Sequence, residues 1–208
     1  MVCLIPAAGA ARRMGTNKLC LPFGESTVVQ TTVAVARSAG CAVVLVTGCY
    51  RAEVEALFAA EVAPLGAGGK VAGGGLRLVH NPGWEAGMLG SIQAGLRGMA
   101  AADFLVMPAD LPSVPLRVYE QVIAAADERR RRALPDPDRP MVPWCRGQRG
   151  HPVFVPASLI PAILELPPDH ALRDFLETAG ALCLRLDEPA IFQDLDAPAD
   201  YNGKAARR

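Results

Sequence analysis

Residues 4–18 read LIPAAGAARRMGTNK: an apolar run, a turn of small residues, and then three cations, Arg12, Arg13 and Lys18. A strand that ends in Ala7-Ala8-Gly9-Ala10 and turns towards a helix leaves backbone N–H groups without partners, and small side chains let a ligand lie against them. Such a turn binds anions. Flanking cations can neutralise several phosphate oxygens at once, so the pattern points to a nucleoside triphosphate. The two common phosphate loops do not fit, because the chain has neither G-x-G-x-x-G nor G-x-x-x-x-G-K-[ST].

Residues of this kind act only if a scaffold brings them together. β-branched runs at 2–6, 42–47 and 76–80 alternate with helical periodicities from about Ser26 and near Ala52. The strands are apolar almost throughout, as expected for a parallel sheet covered on both faces. A further helix over 87–99 precedes a buried strand, 104–107, that delivers PADLP at its carboxyl end. Beyond it the pattern predicts a helix over 117–127, strands at 141–144 and 153–155, and helices over 158–166 and 171–177. The opening turn then lies at the carboxyl end of a first parallel strand, where open α/β sheets place ligands. Two stretches, 63–75 and the arginine run with LPDPDRP after it, read as loops.

Composition narrows the function classes. The 208 residues suit one domain, 1–208, and Lys plus Arg equals Asp plus Glu at 21 each, so no overall field draws the chain to nucleic acid or an anionic membrane. The arginines at 129–132 have no interleaved aromatics and read as a solvated helix end. No apolar window is long enough to cross a bilayer, and Met1 runs straight into strand-like sequence; the expectation is a cytoplasmic protein. The six cysteines form no C-x-x-C pair, and their apolar surroundings suggest small buried hydrophobes.

Five stretches carry a family resemblance. PAAGAARRMGTNKLCLPF (6–23) resembles the L-A-A-G-x-S-x-R-M-G-x-x-K-L signature of nucleotidyltransferases with a GT-A-like, Rossmann-related fold, above all their molybdenum cofactor cytidylyltransferase branch. NPGWEAGMLGSIQAGL (81–96) is similar to N-P-x-W-x-x-G-M-x-x-S-L-x-x-G, and MPADLP (107–112) to the strand-end D-x-P. GQRGHPVFV (147–155) is similar to R-G-H-P-V-L-F, and QDLDAPADY (193–201) to D-I-D-T-P-E-D. The chain departs from the pattern at Pro6, at Ala11 and in PPDHALRDF (167–175), which stands where the family has G-D-x-G-A-R.

The resemblance implies a three-layer α/β Rossmann-like (GT-A-like) nucleotidyltransferase fold with a mostly parallel mixed sheet. It implies transfer of a nucleotidyl group to a phosphorylated acceptor with release of pyrophosphate. Both reactants are anions, so the work is positioning and charge stabilisation. Asp110, following a buried strand, is expected to hold Mg²⁺, which wants hard oxygen ligands. A second carboxylate is expected from DLDAPAD, Asp196 ahead of Asp194, with Asp200 in a capping role. Lys18 and Arg13 are assigned to the triphosphate and to catalysis with Asp110. Arg12 joins the nucleotide site with Ala7, Ala8, Gly9 and Ala10, although adjacent side chains point apart and both arginines need not face the ligand.

By the same resemblance Gly87 and Ser91 read the base, the two glycines of GMLGS equally suiting close packing of a helix on the sheet. The A-A-G form of the loop implies CTP. His151 and Arg149 are expected on the acceptor side, binding its phosphate or orienting it. His80 and His170 have no assigned role, and Asp169 with Arg173 reads as a helical ion pair. The implied acceptor is the molybdopterin form of the molybdenum cofactor, with transient contact to a molybdoenzyme or its chaperone. A sugar phosphate or another phosphorylated metabolite, or a noncatalytic nucleotide-binding module, stands as the alternative.

Overall fold

In the computed structural model, which describes residues 1–10, 15–61, 75–132, 136 and 138–195, the opening apolar run forms β1 (Val2–Ala7). Its side chains alternate: Cys3, Ile5 and Ala7 enter one core, Leu4 the other. This alternation is why a strand with no polar face is stable here, since both surfaces of the sheet are covered. The one-turn 3₁₀ helix Lys18–Cys20 and a short hairpin of β2 (Pro22–Phe23) and β3 (Ser26–Thr27) lead into α1 (Val28–Ser38). Thr27 caps that helix by accepting from Gln30 N at 3.4 Å, while its hydroxyl donates to Gln30 Oε1 at 2.9 Å.

β4 (Ala42–Thr47), α2 (Arg51–Ala56) and β5 (Leu76–His80) continue the right-hand half of the sheet, with β1, β4 and β5 parallel. After α3 (Met88–Arg97) the chain returns to the other side of β1 as β6 (Phe104–Val106). The remaining elements are α4 (Leu116–Arg131), β7 (Met141–Cys145), β8 (Gln148–Arg149), β9 (Val153–Val155), α5 (Ile160–Glu165), α6 (Leu172–Thr178) and β10 (Leu182–Arg185). The sheet order is β10-β7-β9-β6-β1-β4-β5, with β8 on β7. β9 is antiparallel to β6 and β7, whereas β10 pairs parallel with β7. The result is the expected three-layer α/β fold with a mostly parallel mixed sheet. α1, α2 and α4 bury Val29, Val54 and Val122 on one face; α3, α5 and α6 bury Ile92, Ile163 and Leu176 on the other.

Several local expectations change. α4 continues through Arg131 instead of ending near Asp127, because Arg130 pairs with Asp103 and Asp138 and Glu128 pairs with Arg131 and Arg132. Arg130, Arg131 and Arg132 stay exposed while making these pairs, the solvated helix end expected of the run. β10, four residues alternating half-buried and exposed at the sheet edge, was not expected. Of the cysteines, Cys3, Cys41 and Cys145 are buried and Cys20 half-buried, but Cys49 and Cys183 lie on the surface; all six are free thiols.

Candidate active site

β1 and β6 are neighbours, yet the chain leaves β1 towards β4 and leaves β6 towards β7, on the opposite flank. Connections that diverge in this way open a crevice at the carboxyl ends of the two strands. The exit of β6 follows β1 to its end: Met107 N donates to Leu4 O at 3.0 Å and Ala109 N to Pro6 O at 3.4 Å. Asp110 is the next residue. From the β1 side, Lys18 Nζ meets Asp110 Oδ2 at 2.6 Å, with side-chain exposures of 12 % and 20 %. Two residues 92 positions apart thus form the centre of the crevice.

The turn after β1 is held from β4. Cys49 N donates to Ala8 O at 3.1 Å, and Tyr50 Oη donates to Ala10 O at 3.1 Å. Gly48 allows this approach, since a Cβ there would stand 2.6 Å from Ala8 Cβ and 2.7 Å from Ala8 O. Ala7 and Ala8 are buried while Gly9 is exposed, which leaves the far end of the turn accessible. Arg12, Arg13, Asp196 and Asp200 lie outside the described residues. Asp194 is exposed, and Leu195 N donates to Asp110 O at 3.1 Å, so the segment that leads to Asp196 runs against Asp110.

Gly87 opens α3 with φ of 112°, a conformation that favours glycine, and so sets the direction in which the helix starts. Ser91 differs from the expectation of a base-facing hydroxyl. It is 2 % exposed, accepts from Asn81 Nδ2 at 3.1 Å and lies 3.5 Å from Gly87 O. Asn81 is a hub that sequence reasoning missed: its N donates to Thr47 O at 2.9 Å and its Oδ1 accepts from Gly83 N at 3.0 Å. Ser91 therefore braces the start of α3, and the exposed surface there is backbone at Gly87 beside the exposed Met88.

A cavity of about 310 Å³ lies between the start of α3, the β8–β9 turn and the α5–α6 connection. Its walls include Leu89, Ile92, Val106, Val153 and Leu176, with Arg149, His151, Asp169, His170 and Arg173 as the charged and imidazole contributors. His151 Nδ1 lies 3.2 Å from Val106 O, and because a carbonyl only accepts, Nδ1 carries the proton and Nε2 is left as an acceptor. Desolvation pushes the imidazole below its ordinary pKa, outweighing the Val106 carbonyl and the Asp110 charge that favour the cation. His151 is neutral at pH 7. Gly150 beside it is constrained too, for a Cβ there would meet Ile191 Cβ at 2.5 Å. Arg149 is held by Glu177 at 2.5 Å and lies over the Trp144 ring at 5.7 Å. The expected Asp169–Arg173 helical pair is absent: α6 starts only at Leu172, and Arg173 bonds Asp174 at 3.1 Å.

Among the described residues no three His, Cys, Asp or Glu are grouped to hold a metal, and no helix is long and apolar enough to cross a membrane.

A three-layer sheet whose switch point brings a small-residue turn, a lysine and an aspartate together is the architecture of a nucleotidyltransferase. Residues 3–185 match the model of the MobA-like NTP transferase domain, and the chain belongs to that family. It is 22 % identical over 199 residues to the molybdenum cofactor cytidylyltransferase of Escherichia coli K12, covering 96 % of this chain and 92 % of that protein. Among solved structures it resembles Rv0371c of Mycobacterium tuberculosis H37Rv, with a TM-score of 0.76, 22 % identity and coverage of 99 % and 96 % of the two chains. The same protein in complex with manganese gives a TM-score of 0.71 at 20 % identity, covering 99 % and 97 %. CMP:2-keto-3-deoxy-manno-octonic acid synthetase complexed with CTP also gives 0.71, at 16 % identity, covering 99 % and 96 %.

Proposed function

We propose that the protein transfers a cytidylyl group from CTP to the phosphate of molybdopterin-type molybdenum cofactor, in the presence of Mg²⁺, and releases pyrophosphate. The observation that carries this reading is the 2.6 Å meeting of Lys18 and Asp110 beside the turn after β1. In the reaction an acceptor phosphate oxygen attacks the α-phosphorus and the bond from that phosphorus to the bridging oxygen of the β-phosphate breaks. No net proton transfer is needed, so this site must align two anions and stabilise the charge that gathers on pyrophosphate.

Lys18 supplies a cation for the triphosphate, and the N–H groups of Ala8 to Ala10 supply uncharged donors, with Arg13 and then Arg12 as further cations. The donor chemistry at Asp110 fits magnesium: a hard carboxylate in a crevice open to phosphate oxygens and water, which complete the shell of an ion that rarely has an all-protein cage. Asp196, or Asp194 in its place, is the second carboxylate. Bound there, Mg²⁺ would neutralise triphosphate oxygens and favour departure of pyrophosphate.

The preference for CTP rests on the Ala7-Ala8-Gly9 loop and on the cytidylyltransferase relative. The acceptor assignment draws on the cavity. Its aliphatic walls of Leu89, Ile92, Val106, Val153 and Leu176 suit a flat ring system. Arg149 and Arg173 at its edge suit the acceptor's phosphate, and neutral His151 offers Nε2 to a ring N–H. Pyrophosphate release should be measured with Mg²⁺, each NTP in turn, and either molybdenum-loaded molybdopterin or a panel of sugar phosphates. Release confined to CTP with the pterin is expected. Release with a sugar phosphate alone would replace the acceptor, and none under any condition would overturn the reading.

A further inference from the structure

The 3₁₀ turn that carries Lys18 is fixed from a second direction, by a residue on α2 that makes no approach to Asp110. Asn17 caps the turn and is only 6 % exposed. Its amide is engaged at both ends: Oδ1 accepts from Leu19 N at 3.2 Å, while Nδ2 donates to Glu53 Oε2 at 2.9 Å and to Cys20 Sγ at 3.0 Å. An amide held by oxygen and nitrogen together cannot flip, and so little exposure leaves it scant water to exchange for these partners.

Glu53 is in turn anchored to the sheet through its own helix. Thr47 at the end of β4 donates to Glu55 Oε1 at 2.9 Å, and Arg51 Nε reaches the same oxygen at 3.0 Å. The restraint runs from the central sheet through Thr47 and Glu55 to α2, from Glu53 to Asn17, and through the turn to Lys18 and Asp110. Glu53 also lies in the first turn of α2, where a carboxylate is favoured.

We propose that Glu53 is a positioning residue for nucleotide binding: by accepting from Asn17 it fixes the turn that aims Lys18, and so sets the affinity for the nucleoside triphosphate. The proposal rests on the reading that Lys18 meets the triphosphate. It assigns the acceptor oxygen of Glu53, not its charge, as the feature required. Because Glu53 is exposed on α2, its replacement leaves the core intact.

The test is titration of the full chain with CTP and Mg²⁺, alongside thermal melts, for wild type, Glu53→Ala and Glu53→Gln, and for the same Ala change in a Lys18→Met background. Glu53→Ala should weaken CTP binding about tenfold, the scale of one net hydrogen bond, and lower the melting temperature by about 2–4 °C because the buried Asn17 amide loses its carboxylate partner. Glu53→Gln, which keeps an acceptor oxygen, should restore most of that affinity. In the Lys18→Met protein the Ala change should cost less than about twofold, since the two residues act through one another. A purely structural glutamate would not give that non-additivity. If wild type binds CTP and Glu53→Ala binds it equally well, the positioning role is overturned while the nucleotidyltransferase reading stands. Gln failing to rescue, or additive losses, overturns it in the same way. Wild type that binds no nucleoside triphosphate overturns both.

Discussion

Gly48→Ala tests how the turn after β1 is held. The added Cβ would stand 2.6 Å from Ala8 Cβ, 2.7 Å from Ala8 O and 2.7 Å from Trp84 Cβ. Carbon atoms in contact prefer about 3.5–4.0 Å, so roughly 1 Å must open on two sides at once. Neither side yields easily. Ala8 is buried and its carbonyl is bonded to Cys49, while Trp84 opens the 3₁₀ turn before α3. Overpacking of this kind costs about 1–3 kcal/mol, which for a chain of this length lowers the melting temperature by about 2–12 °C. Because relief comes by displacing Ala8, the KM for CTP should rise as well. Gly83→Ala is the control, for its Cβ would find nothing nearer than Asn81 Oδ1 at 3.6 Å. The assay is a melt and a CTP saturation curve on both variants. Gly48→Ala melting within about 1 °C of wild type, with an unchanged KM, would refute the claim that the end of β4 packs on the turn after β1 through this glycine.

Lys18→Met should lower kcat/KM for CTP by about 10- to 100-fold, the scale of one charge-assisted hydrogen bond; steady-state kinetics reads this directly. Ser91→Ala strands the buried Asn81 amide and should destabilise by about 1–3 kcal/mol in denaturant unfolding, while the preference among NTPs is unchanged. His151 is held neutral by burial, so the unfolded chain binds more protons once pH falls below the ordinary histidine value. Its contribution is full above about pH 6.5 and is lost as pH drops through and below that value. Wild type should therefore lose more stability than His151→Gln between about pH 7.5 and 5.5; equal losses would contradict the buried neutral imidazole.

The layers and the crevice were legible because their signals are local. β1, β4, β5 and β6 are unbroken apolar runs, and an aspartate just past a buried strand must emerge at the sheet's carboxyl edge, which is how Asp110 and the residue 4–18 stretch could be placed together. What escaped depends on contacts between distant segments. Nothing around Glu53 marks it except helical periodicity, yet it reaches Asn17 across 36 residues. Ser91 stood in a motif that invited a ligand contact, but helical phase turned its hydroxyl towards Asn81. Gly48 is one of 20 glycines, and only the packing of Ala8 and Trp84 against it distinguishes it. β10 is too short and too mixed to announce itself, and exists because β7 offers an edge.

The most direct measurement is a crystal structure of the protein with CTP and Mn²⁺, the metal placed by its anomalous signal. The account predicts Mn²⁺ at about 2 Å from an Asp110 oxygen, with the triphosphate between that ion and the N–H groups of Ala8 to Ala10 and Lys18 Nζ on its oxygens. A triphosphate seated away from the β1–β6 crevice, or a metal that leaves Asp110 on Lys18 alone, would contradict it.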